Sequence, residues 1–234
     1  MASATIPSLI DSAVINPGHS SASALPPTIQ VLADCESTST SQYPEETTAP
    51  TKNLLISSPY TTPDHLLDLS NLDTQSRLFA QALTNFTPIR PDYATAPYTE
   101  SFNWSTVFES LSTLLNAENR IWETRSFYVV VFRSVLNEGV DVDWLSLLDE
   151  RSHAEATESG GLLKYWFGVK NRRRENLATC FWRNRQDARA GGTGPWHAKA
   201  RAAGRELYEK IEFTTLELVI AEGVTEWHLK PWSD

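Results

Sequence analysis

Phe127-Tyr-Val-Val-Val-Phe132 is an apolar, strand-like run, and the order of the elements that follow it decides the fold. A helix-like stretch extends from Val142 to Glu158, and Gly160-Gly161 ends it and turns the chain. Two further strand-like runs come next, Leu162-Leu-Lys-Tyr-Trp-Phe-Gly-Val169 and Leu177-Ala-Thr-Cys-Phe-Trp182. The polar connector Asn171-Arg-Arg-Arg-Glu-Asn176 between them marks a hairpin with an extended loop. A second helical stretch, about Trp196 to Leu207, leads into Phe213-Thr-Thr-Leu-Glu-Leu-Val-Ile220, and Val224 to Leu229 reads as a short edge strand.

This order is β-α-β-β-α-β. It predicts an α+β, ferredoxin-like domain with two helices on one face of an antiparallel sheet. In the first helix Trp144, Leu147 and Leu148 point one way, while Ser146, Glu150, His153 and Thr157 line the opposite, solvated side. Alternation puts Tyr165 and Trp166 on opposite faces of their strand.

Working outward, residues 1–60 are rich in Ser, Thr, Pro and Ala, a composition that predicts a disordered tail. Residues 61–119 read as a helical extension. A helix from Asn71 to Leu83 places Leu72, Phe79 and Leu83 near one face, and Thr87-Pro-Ile-Arg-Pro-Asp92 breaks it. A second helix, Ser101 to Asn116, repeats Trp104, Val107, Phe108, Leu111, Leu114 and Leu115 at helical spacing. Both helices need a partner surface, and the sheet of the domain at 120–234 supplies it. An open sheet face carrying aromatics also predicts a homodimer.

The net charge of −9 argues against a general nucleic-acid binder. Cys35 and Cys180 form neither a disulfide framework nor a metal-ligand spacing, which fits a reducing, cytoplasmic or nuclear setting. No apolar run reaches the roughly 18 residues a membrane helix needs. From Lys164 to Arg205 there are eleven basic residues against Glu175 and Asp187, a local excess that can steer an anionic ligand or an acidic partner, or simply form a solvated surface.

Phe181-Trp-Arg-Asn-Arg-Gln-Asp187 followed by Pro195-Trp-His-Ala-Lys-Ala200, with the strand at 127–132, resembles the antibiotic-biosynthesis monooxygenase type of dimeric α/β barrel. The chain as a whole also resembles a fungal family of uncharacterised, UPF-type proteins. The barrel resemblance implies two ferredoxin-like units packed sheet to sheet, each with a pocket between its own sheet and helices. Activities in that superfamily include cofactor-independent oxygenation, haem degradation, and cyclisation or dehydration of small substrates. Two residues carry over, Trp182 and His197. The histidine matches the helix position that holds haem iron in haem-degrading relatives, but Gly191-Gly192-Thr193-Gly194 departs from their pattern, so no cofactor is expected.

His197, in the first turn of a helix, sits where unpaired amides favour a neutral imidazole, and it is the candidate catalytic base. Tyr128, Tyr165, Trp166, Trp182 and Trp196 are the candidate walls of a pocket for a small apolar or aromatic molecule, although strand aromatics also serve as plain core. Any chemistry would be monooxygenase- or cyclase-like. Two other functions compete. Arg189-Ala-Gly-Gly-Thr-Gly194 fits the pyrophosphate loop of GNAT acetyltransferases, and nothing in the sequence excludes a non-catalytic binding or assembly protein.

Overall fold

A computed structural model describes residues 53–233, and the proposed tail falls outside them except for 53–60. Those eight residues are ordered. Leu54–Leu55 (β1) pairs antiparallel with Leu67–Asp68 (β2), and the Tyr165 amide donates to the Ser57 carbonyl. Composition misread them because the Ser, Thr, Pro and Ala of residues 1–52 dominate the average of the segment, whereas 53–60 carry Leu54, Leu55, Ile56 and Tyr60, and Tyr60 finds a buried partner on the domain.

The main sheet grows around Arg125–Leu136 (β3), whose central residues are buried on both faces. Val142–Glu158 (α4) follows, then Leu162–Phe167 (β4) and Glu175–Trp182 (β5). Arg185–Gly191 (α5) and Pro195–Leu207 (α6) lead into Tyr208–Ile220 (β6) and Trp227–Pro231 (β7). The strand order is β4-β5-β3-β6-β7, and every neighbouring pair is antiparallel. The fold is therefore mixed α+β with an antiparallel sheet. The helix at 142–158 matches its expected bounds, and Gly160, with φ of 82°, makes the turn that ends it. Sequence reading missed α5, a short helix capped by the Asn184 side chain.

Both faces of the sheet are covered within one chain. Phe127, Val129 and Val131 point to one side, where Thr74–Ala82 (α1), the short Tyr98–Ser101 (α2) and Trp104–Ala117 (α3) lie on Leu177, Phe181 and Leu218. Phe79 packs 4.5 Å from Phe127, and Trp104 and Phe108 stack on Trp227 of the edge strand. Arg133 ties the preceding loop down by donating to the carbonyls of Ala94 and Ala96. Tyr128, Val130 and Phe132 face the other way, toward α4 and α5. The extension thus occupies the face whose exposure had suggested a homodimer, so that argument for dimerisation is gone.

Phe79→Ala should cost about 3–5 kcal/mol in urea unfolding, because it opens a cavity between α1 and the sheet. Leu147→Ala, at a residue 36% exposed, should cost less than about 1 kcal/mol in the same measurement.

Candidate functional site

The inward stripe of α4 is Leu145, Leu148, Asp149, Ser152, His153 and Ala156, spaced at three and four. Half of it is polar. His153, expected on a solvated side, is 3% exposed, because residues 57–68 form a strap across α4 and bury that face. Asp149, 1% exposed, accepts a hydrogen bond from Tyr60 of the strap (2.5 Å) and another from Tyr165 of β4 (2.8 Å). Burial pushes the pKa of both phenols up, and the Asp149 charge pushes it further, so both hydroxyls stay protonated donors.

Beside this trio, Nδ1 of His65 lies 2.7 Å from Nδ1 of His153. His65 stacks on Tyr60 at 4.6 Å, and His153 lies 5.2 Å from Tyr165. Burial lowers both imidazole pKa values, that of His153 to about 3 with His65 as the next cause. His153 Nε2 and Ser152 Oγ have no hydrogen-bond partner among the described residues. Together with Asp149, Tyr165 and Cys180 those two residues line a void of about 10 Å³, the space of one water.

Outside the strap lies a larger groove, about 460 Å³, between residues 63–71, α4 and the start of α6. Trp196 forms one wall. Asp64, Asp68, Glu155 and Glu158 face Arg151 across it, four carboxylates against one guanidinium. Glu155 has a structural task as well. Gly194 provides no cap for α6, so Glu155 reaches across from α4 and accepts from the amides of Trp196 (2.7 Å) and His197 (3.1 Å). The same carboxylate holds His197 Nδ1 at 2.8 Å. Burial works to raise the Glu155 pKa, but these donors outweigh it and hold the carboxyl below its usual range.

The residues proposed from sequence do not converge on one cavity. His197 is fully buried behind Glu155 and lines neither the groove nor the void. Burial lowers its pKa, opposed by Glu155. Tyr128, Tyr165 and Trp182 share the face of the sheet that packs on α4 and α5 as core, with Tyr128 opposite Trp182 in register. Trp166 points to the other side, among Phe86, Tyr93 and Phe102. Of the six, Trp196 alone borders the groove and Tyr165 alone the void. The signal that was missed is the polar triplet Asp149, Ser152 and His153 at core spacing on α4.

The acetyltransferase reading loses its premises. β5 and β6 are not neighbours, since β3 lies between them. Gly191 belongs to α5 and packs under the Trp182 ring, and the α6 N-terminus that would receive a pyrophosphate already holds Glu155. The basic segment is dispersed as well. Arg174 pairs with Glu209, Arg183 with Asp187, and Arg201 donates to the Gly192 carbonyl. Burial lowers the Lys164 pKa to about 8. Among the described residues, no cluster of three or more His, Cys, Asp or Glu side chains has the geometry of a metal site, and no helix is long and apolar enough to cross a membrane.

Asp149→Ala should destabilise the domain by about 2–6 kcal/mol, or 1–3 for each phenol left without an acceptor, as measured by urea unfolding. Tyr60→Phe removes a single bond and should cost about 0.5–3 kcal/mol, no more than a hydrogen bond to a charged group.

Similarity to known proteins falls on the described part of the chain. The UPF0643 protein PB2B2.08 of Schizosaccharomyces pombe is 35% identical over 183 residues, which span 74% of this chain and 82% of the relative. Residues 56–231, from the strap through β7, match the PB2B2.08-like family, and the chain belongs to that family.

Proposed function

We propose that this is a small-molecule-binding protein built on a ferredoxin-like core, with its ligand in the groove between the strap, α4 and Trp196. The strand order β4-β5-β3-β6, with α4 and α6 packed together, supports the ferredoxin-like reading. A face-to-face barrel dimer does not enter it, because α1 and α3 occupy the sheet face that such a dimer needs.

The observation that carries the proposal is the groove itself. Its volume falls in the range of small-ligand sites, its rim includes an indole, and its charge is predominantly negative. Those properties suit a cation joined to an apolar or aromatic group. The ammonium would sit near Glu158 and Asp64, and the apolar part would lie on Trp196, whose ring already holds the Lys199 ammonium 3.7 Å from its centroid. Binding without turnover is the reading favoured over oxygenation or cyclisation, since the proposed base, His197, has no reach to a ligand in the groove.

Protein NMR titration tests the proposal with 2-phenylethylamine and its uncharged analogue 2-phenylethanol. The amine should shift the Trp196 indole signal saturably. Glu158→Gln should weaken it about fivefold, the scale of one partly exposed ion pair, and Trp196→Ala should remove most of the binding. Equal binding of the alcohol, or saturable shifts that leave Trp196 unchanged, would refute the assignment.

A further inference from the structure

The strap is held at its centre by two imidazoles whose contact permits a limited number of protons. At 2.7 Å, one Nδ1 must carry hydrogen and the other must be bare. A first proton can enter at His65 Nε2, which lies 3.7 Å from the carboxylate of Asp64. A second must go to the accepting Nδ1, and that turns two N–H groups against each other inside a site where His65 is 1% and His153 3% exposed. Thr157 Oγ1, at 3.4 Å from His153 Nδ1, offers that nitrogen only a long, weak hydrogen bond in place of the lost partner.

We propose that the His65–His153 pair is a proton-released latch, which holds residues 57–68 against α4 while the contact survives and frees them when the pair takes up its full complement of protons. The charged and titratable groups around the pair come from six elements. Tyr60 and Asp64 lie on the strap, Asp149, Glu150 and Arg151 on α4, Tyr165 on β4, Cys180 on β5, His197 on α6 and Tyr208 on β6. The Thr62 hydroxyl holds the Asp64 carboxyl below its usual range, and burial pushes the phenols of Tyr60, Tyr165 and Tyr208 up. Histidine is the side chain whose ordinary pKa puts its charge change between about pH 5 and 8. His197 is held by Glu155, away from the strap.

The direction follows from linkage. Docked, the imidazoles bind protons less readily than they do once released, where their pKa returns to about 6.5. Docking is therefore fully favourable above that value and weakens as the pH falls below it. Release takes up between one and two protons, so the opening constant should rise about ten- to a hundredfold from about pH 7.5 to about pH 5.5. Opening would also dismantle the groove, whose wall includes Pro63, Asp64, Leu66 and Asp68 of the strap. That last consequence rests on the proposed ligand site. The latch itself does not.

Amide hydrogen exchange on the full chain, corrected for intrinsic rates, reads the latch without any ligand. Protection at Tyr60, His65 and Leu66 should fall ten- to a hundredfold over that interval, while Val130 and Cys180 in the sheet keep theirs. A His65→Asn/His153→Asn double variant should lose the pH dependence of strap exchange, whatever its absolute level. If that variant does not fold, ring-nitrogen NMR of the wild type replaces it, and imidazole protonation should coincide with strap release. The proposal is overturned if strap protection is flat across the interval. It is equally overturned if strap and sheet lose protection in step, if the double variant keeps the wild-type slope, or if the rings protonate without release.

Discussion

One buried carboxylate joins the parts of this domain that sequence leaves separate. Asp149 comes from α4, its two phenol donors come from the strap and from β4, and all three elements must meet for its lone pairs to be satisfied. An ionised group at 1% exposure is tolerated only with such partners. The position of the strap, the burial of His65 and His153, and the inner wall of the groove all follow from that meeting.

The sheet imposes a second requirement. β3 is apolar on both faces, so it needs cover on both. α4, α5 and α6 cover one side, and the helices preceding β3 in sequence cover the other. The result is a three-layer arrangement within one chain. A surface that related plans can use for association is here core, sealed by Phe79, Phe86, Phe102 and Trp104 against Phe127, Phe181 and Trp166.

Polar economy at the start of α6 shows how helix-end chemistry can mislead. A histidine in a first turn, after a proline, looks poised for catalysis. In the folded chain the free amides there are taken by Glu155 from another helix, and the imidazole completes the same cap. His197 thereby becomes part of the joint between α4 and α6. The groove is displaced to the outside of that joint, where Trp196 remains partly exposed.

Local periodicity and turn chemistry by themselves determined the order of strands from β3 to β7, the helix at 142–158, the two longer preceding helices and the opposite facing of Tyr165 and Trp166. These depend on neighbours within one turn or one pleat, and such neighbours are written in sequence. Only the tertiary structure decided which polar residues are buried and which cavity is open. His153 looks solvated until a segment more than eighty residues earlier covers it together with Asp149, and His197 looks available until Glu155 reaches it. A side chain's solvent and partners are set by what packs over it, and that packing joins residues whose separation along the chain carries no periodic signal.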